Sequence, residues 1–219
     1  MLSFTEENYL KTLLKITSQD GGKKEAGTNE MAILLGVKPA TATDMLKKLK
    51  EKDLVEYEKY GKITLTQLGR KKGLLVIRKH RLWETFLCEK LDFSWDEVHD
   101  VAEQLEHIQS EKLVNKLEEF LNFPKFDPHG DPIPQANGEV PKTSNQLLNS
   151  LEKGALCKVV AVKDTSTDFL LYLEKLNISI GTQIEIIDKI PFDESMIILI
   201  SDKLRTNVSN KFCENLLVI

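Results

Sequence analysis

With 219 residues, 41% of them hydrophobic and 29% charged, the chain can bury one large or two smaller cores, and its net charge of -4 argues against wholesale coating of nucleic acid. No run approaches the roughly 20 apolar residues of a membrane span, and the opening Ser3, Thr5, Glu6 and Glu7 lacks the basic and apolar pattern of a secretory signal. Cys88, Cys157 and Cys213 are far apart with no C-x-x-C pair, which fits small buried hydrophobes in a reducing cytoplasm.

Tyr9, Leu10, Leu13, Leu14 and Ile16 recur at helical spacing and predict a helix over 6–16. Residues 18–27, rich in Gly, Lys and Asp, read as a loop. Thr28 or Asn29 is placed to cap a short helix running to Leu35. Gly36 closes it, because a residue without Cβ adopts the left-handed conformation at low cost. Pro39 suits the first turn of the next helix, over 39–52. Helix, glycine turn and helix make a helix-turn-helix.

On that second helix Ala42, Met45, Leu46 and Leu49 face inward, and Thr41, Thr43, Lys47, Lys48 and Lys50 face out. Lys38, Pro39 and Ala40 stand at its start, where small residues allow a close approach to the major groove and lysines reach phosphates. Residues 54–58 and 62–66, turned at Tyr60-Gly61, predict a strand-turn-strand wing. Lys59, Lys62, Arg70, Lys71 and Lys72 extend its charged surface. From 38 to 81 there are thirteen Lys/Arg against five Asp/Glu, a local net of +8, so this block suits an anionic polymer. The candidate DNA contacts are Lys38, Pro39, Ala40, Thr41, Thr43, Lys47, Lys48 and Lys62, making this half a winged helix for double-stranded DNA.

The next block reverses sign. From 84 to 127 there are four Lys/Arg against twelve Asp/Glu, a local net of -8. His99, Glu103, Glu106 and His107 fall on one face of a helix, and His80 and Glu84 repeat the i,i+4 spacing on the preceding helical segment. Imidazoles and carboxylates together, with no lysine among them, are what a divalent transition metal needs. A solvated polar helix face is the alternative for any single pair. Helices beginning at His80 and at Ser110 (Leu113, Leu117, Phe120, Leu121) offer apolar faces for a core or a dimer. The prolines and glycines between 124 and 149 read as a linker, and 157–162, 183–187 and 196–201 as short strands.

Several of these segments in combination resemble the diphtheria-toxin-repressor family of metal-dependent transcriptional repressors. They are Thr5-Glu6-Glu7-Asn8-Tyr9-Leu10, the region 36–55, Arg78-Lys79-His80-Arg81-Leu82-Trp83-Glu84, Val98-His99-Asp100, Glu103-Gln104-Leu105-Glu106-His107 and Asp127-Pro128-His129-Gly130-Asp131-Pro132-Ile133-Pro134. The resemblance implies a mainly α fold with β. It divides into a winged helix-turn-helix (1–73), a helical dimerisation and metal-binding domain (74–135), a linker (136–150) and an SH3-like, FeoA-like small β-barrel (151–219).

The resemblance also implies a cytoplasmic homodimer on a palindromic operator, repressing metal-uptake genes and having no enzymatic activity. By the same resemblance His80, Glu84 and His99 form an ancillary metal set. Glu103, Glu106 and His107 form a primary set, with Asn8 as the ligand from the first helix. Glu103 stands where iron-responsive members carry cysteine, and a hard carboxylate favours Mn(II), with Fe(II) the alternative and Zn(II) or Co(II) substitutes in vitro. Lys11 stands where manganese regulators carry a further carboxylate. His129 is expected as a hydrogen-bonding turn residue, and Asp164 or Asp168 as a candidate for a ligand from the C-terminal domain. Two other readings of the residues are a metalloenzyme built on the His/Glu cluster and a helix-turn-helix regulator with an organic effector.

Overall fold

The computed structural model describes residues 2–18, 25–57 and 62–219, arranged as two compact units. The first unit gathers Met1–His80, Glu103–Glu111 and Pro134–Glu139; the second gathers Arg81–Ala102, Lys112–Ile133 and Val140–Ile219. Among the described residues no helix is long and apolar enough to cross a membrane.

The first unit is built on α1 (Phe4–Ser18), α2 (Thr28–Leu34) and α3 (Pro39–Glu51), followed by β2 (Val55–Tyr57) and β3 (Lys62–Leu65). A short β1 (Ala26–Gly27) pairs with β3, so the wing is a three-stranded sheet in the order β1-β3-β2. Residues 26–27 are therefore strand where a loop was expected. Gly27, not Thr28 or Asn29, is the cap of α2, and its N–H donates to the Glu30 carboxylate at 3.3 Å. Gly36 has φ +63°, the left-handed turn its position predicts. The rest of the 18–27 loop and the Tyr60-Gly61 turn, with Glu58 and Lys59, lie outside the described residues.

One apolar cluster joins Tyr9, Leu10 and Leu13 of α1 to Met31 and Ala32 of α2, Ala42, Leu46 and Leu49 of α3, and Ile63 of β3. Each fully buried leucine contributes about 1.5–3 kcal/mol, and the cluster is shared by α1, α2 and α3. Lys52 at the end of α3 donates to Glu6 of α1 at 2.6 Å and adds a polar tie between the same helices.

A single helix α4 (Gln67–Leu91) runs 25 residues. Its N-terminus is capped by the Thr66 hydroxyl, which accepts the Gly69 N–H at 3.0 Å. No helix therefore begins at His80, and the expected boundary at 73 falls inside α4. The division between the two units also falls within this helix, after His80.

Within the acidic block α5 (Val98–Leu105) is followed by α6 (Glu111–Phe120), and the stretch Glu103–Glu111 belongs to the first unit. α5 ends sooner than the i,i+4 pattern predicts. Ile108 N–H turns back to the Leu105 carbonyl at 3.1 Å, so Glu106 and His107 sit in a turn and not on a continuous helical face. α6 buries Val114 and Leu117, with Leu121 just beyond, and leaves Leu113 and Phe120 exposed.

The C-terminal part is one antiparallel sheet of six strands: β4 (Gln146–Leu147), β5 (Leu156–Val162), β6 (Gln183–Lys189), β7 (Met196–Ile200), β8 (Leu204–Val208) and β9 (Leu216–Val218). Their order is β4-β9-β5-β6-β7-β8. Alternation sends Ile184 and Ile186 of β6 and Met196, Ile198 and Ile200 of β7 into the core, where α7 (Thr167–Lys175) adds Leu170 and Leu173 and α8 (Asn210–Cys213) adds Phe212. Residues 146–150, expected in the linker, supply β4 and a 3-10 turn to this domain. Cys157 and Cys213 are buried free thiols, and burial pushes them up to about 11 and about 12 respectively.

Candidate metal centre

The acidic turn after α5 lies in the first unit together with α1 and His80, and it is built around Glu106. That side chain is wholly buried. Its Oε2 accepts from Lys11 Nζ at 2.7 Å and lies 2.6 Å from His80 Nδ1. An ionised carboxylate only accepts, so the proton between them belongs to Nδ1. The 3.3 Å approach of Lys11 Nζ to that same nitrogen is then two donors meeting at one acceptor, not a hydrogen bond to the ring. Burial alone would raise Glu106, yet the His80 hydrogen bond and the Lys11 charge hold it below the ordinary carboxylate range.

The other carboxylate oxygen, Oε1, is buried with no hydrogen-bond partner. It lies 3.8 Å from His107 Nε2, too long for a hydrogen bond but within the span of two ligands each about 2.1 Å from one ion. His107 is oriented by its opposite nitrogen, since Nδ1 is 2.6 Å from Glu7 Oε2 and donates to it. A ligating imidazole held through its other ring nitrogen by a carboxylate is the usual outer-shell arrangement. Phe4 stacks on the same ring at 4.7 Å.

Glu7 is buried at 4% exposure and also takes Lys79 Nζ at 3.2 Å and Gln109 Nε2 at 3.0 Å. Sequence reasoning did not pick out Glu7. The available signal was its place three residues before Leu10 and seven before Leu14, on the buried stripe of α1. Glu103 is half-exposed with Oε1 3.5 Å from Lys11 Nζ, and Asn8 is half-buried on α1. The orphaned Glu106 oxygen and the preset His107 tautomer fit a divalent cation. Lys11, itself a cation inside the cluster, does not.

The second unit holds another buried polar cluster. Glu84 Oε1 lies 3.3 Å from His99 Nδ1 and Glu84 Oε2 lies 3.9 Å from His129 Nδ1. Glu84 is one helical turn beyond His80 on α4. His129 donates from Nε2 to the Trp95 carbonyl at 2.7 Å, so it is the hydrogen-bonding turn residue expected. Its Nδ1, however, faces inward, and Glu84, Asp127 and His129 all offer ligand atoms within 4.8 Å of one another.

Asp127 Oδ1 accepts the backbone N–H groups of His129 and Asp131, while Arg81 Nε stands 3.4 Å from Oδ2. Burial, with Asp131 and Glu84 nearby, pushes Asp127 up to about 7 against the pull of Arg81. Burial would lower His129, but Glu84, Asp127 and the Trp95 carbonyl raise it to about 9. Asp164 instead closes its own turn, accepting the Ser166 N–H at 2.9 Å, and Asp168 is exposed in the first turn of α7.

On α3, Lys38, Pro39, Ala40, Thr41, Lys47 and Lys48 are exposed, as is Lys62 on β3. Thr43 is half-buried with its hydroxyl donating to the Pro39 carbonyl at 2.9 Å. Lys50 is spent on the Tyr57 carbonyl at 2.9 Å. Lys62 pairs with Glu25, and Lys47 stands 3.2 Å from Asp44. The exposed start of α3 and Lys48 thus form the least encumbered part of the candidate DNA face.

Comparison with known proteins divides the chain in three. Residues 1–63 match the N-terminal DNA binding domain of iron dependent repressors, 66–135 their metal binding and dimerisation domain, and 146–219 the FeoA domain. The iron-dependent repressor IdeR of Mycobacterium tuberculosis is 31% identical over 130 residues, which are 59% of this chain and 55% of that protein. A probable metal transport system membrane protein of Chlamydia trachomatis serovar D is 40% identical over 72 residues, 33% of this chain and 16% of its own length. The chain thus spans about half the length of the first protein and a sixth of the second. A solved manganese-dependent transcriptional repressor in complex with manganese superposes with a TM-score of 0.88 at 33% identity, covering 98% of this chain and 99% of that one.

Proposed function

The chain belongs to the diphtheria-toxin-repressor family of metal-dependent transcriptional repressors, and from that premise we propose that it is a cytoplasmic homodimeric repressor. In this reading Mn(II), or alternatively Fe(II), prepares it to bind a palindromic operator that controls metal-uptake genes. The observation that carries the proposal is Glu106 Oε1, a buried acceptor without a partner beside the aligned Nε2 of His107. Asn8, Glu103, Glu106 and His107 would hold the primary ion, and His80, Glu84 and His99 the ancillary one. Glu84 is shared with the Asp127–His129 cluster, which widens the choice of ancillary ligands. Carboxylate, amide and imidazole donors without thiolate favour Mn(II) over softer choices, with Zn(II) or Co(II) as substitutes in vitro.

A divalent ion held by these residues would add positive charge beside Glu106 and His107, which Lys11 and Glu7 of α1 already engage. The chain's own residues do the rest. Glu7 fixes the His107 ring, and the cluster of Tyr9, Leu10 and Leu13 with Ala42, Leu46 and Leu49 passes the position of α1 to the reading helix α3. Coupling of this kind is typically about 1–3 kcal/mol per linked site. Exposed Leu113 and Phe120 on α6 and Phe123 beyond it suit the dimer contact.

Selection of bound sequences from a random duplex pool, with Mn(II), anaerobic Fe(II), Zn(II) or chelator, tests the proposal. One palindrome enriched only with Mn(II) or Fe(II) is expected, and equal enrichment under chelator would overturn it. The DNA face has its own test. Lys48→Ala should lower affinity for specific and random duplexes alike and flatten the salt dependence of log K by about 1. Lys50→Ala should flatten it less, because that ammonium is held by Tyr57. Anisotropy titrations between roughly 50 and 200 mM salt measure the slopes, and equal slopes for the two variants would refute the assignment of α3.

A further inference from the structure

We infer that the ammonium of Lys11 is a built-in cation occupying the second metal position of the primary cluster, so that this cluster takes one divalent ion and not two. The inference rests on the metalloregulator reading and deepens it. Lys11 Nζ is 2.7 Å from Glu106 Oε2, 3.5 Å from Glu103 Oε1 and 3.3 Å from His80 Nδ1. The two carboxylate oxygens are hard donors of the kind that suit Mn(II), whereas His80 Nδ1 spends its proton on Glu106 Oε2 and only borders the ammonium. The two oxygens converge here on a charge tethered to α1.

The two oxygens of Glu106 divide accordingly. Oε2 is saturated by Lys11 and His80, while Oε1 is buried and unpartnered beside His107. Charge agrees with geometry. Glu7, Glu103 and Glu106 face the ammoniums of Lys11 and Lys79, so the local balance is one negative charge before metal with the histidines neutral. One divalent ion reverses that balance modestly. A second, placed among the ligands of the ammonium, would have to expel it. Lys11 also adds to the Glu7–His107 bond a second metal-free tie between α1 and the turn at Glu106 and His107.

The decisive experiment compares the full-length protein with its Lys11→Glu variant, both carrying Glu84→Gln so that ions bound at Glu84 are not counted. Mn(II) equivalents are measured by equilibrium dialysis and the spin state by electron paramagnetic resonance. One equivalent with an uncoupled six-line spectrum is expected with Lys11 present. A further equivalent and an exchange-coupled pair are expected with Lys11→Glu. A coupled pair with Lys11 present, or an unchanged equivalent count in Lys11→Glu, would overturn the inference.

Lys11→Met supplies a metal-free readout in case Lys11→Glu fails to fold. Loss of the ammonium leaves the buried Glu106 short of a counter-charge, so the metal-free thermal midpoint should drop by roughly 5 °C or more. An unchanged midpoint would count against the inference. Mn(II) binding by none of these proteins would overturn the metalloregulator reading as well, a failure distinct from a coupled pair, which would leave that reading intact.

Discussion

Replacing His107 by alanine is expected to abolish the stimulation of operator binding by Mn(II) while leaving the chain folded. The metal position at Glu106 Oε1 loses the imidazole nitrogen that stands 3.8 Å away. Glu7 keeps Lys79 at 3.2 Å and Gln109 at 3.0 Å, so no buried charge is abandoned. Glu106→Gln is the companion, since it retains the volume of a fully buried side chain but offers the metal a neutral oxygen. With a coupling of about 1–3 kcal/mol, operator affinity in the parent should rise about 5- to 150-fold on adding Mn(II), and both variants should show a ratio near one. Fluorescence anisotropy with a labelled duplex measures the ratio, and the thermal midpoint in chelator checks the fold. A full response in His107→Ala would remove His107 and Glu106 Oε1 from the switch.

Much of the molecule could be read from local patterns, and what could not depends on partners distant in sequence. The winged helix follows from the apolar spacing of α1, from Gly36 and from Pro39, each a signal contained within a few residues. The alternation of β6 and β7 is equally local. The continuity of α4 was harder to see because its start depends on one hydroxyl, that of Thr66, well before the His80–Glu84 pair.

The i,i+4 pattern places Glu106 and His107 on a helical face that the structure does not form. Helix α5 stops at Leu105, and Glu106 and His107 arrive by a turn. Glu7 meets His107 across 100 residues of sequence, and Lys11 meets Glu106 across 95. Nothing in the local spacing of either residue announces such a meeting. The resemblance already marks Lys11 as a departure at a carboxylate position, but its contact with Glu106 is visible only in the fold.

Gly130→Ala is expected to be the most damaging conservative substitution in the 127–134 turn. Gly130 sits at φ +85°, and a Cβ there would overlap the Val160 carbonyl oxygen and come 2.6 Å from Ala161 Cα. Both obstacles are backbone, so neither can rotate aside. Left-handed strain costs about 1–2 kcal/mol and overpacking about 1–3 kcal/mol more, giving a loss of roughly 2–5 kcal/mol.

Gly154→Ala separates these contributions. Gly154 has φ +84° with nothing within 4 Å of the added carbon, so only the strain of about 1–2 kcal/mol should appear. Urea unfolding of the two variants measures the difference. The packing lost at Gly130 is also what aligns the second polar cluster. The His129 carbonyl accepts the Val162 N–H at 3.0 Å, and Arg81 donates to the Pro132 carbonyl at 2.6 Å and to Asp131 at 2.7 Å. Gly130→Ala should therefore loosen His129 and Asp127 around Glu84 and weaken ion binding there, whereas Gly154→Ala should not. Equal destabilisation by the two substitutions would mean that β5 yields to the added methyl, and that the close approach at Val160 does not hold the turn.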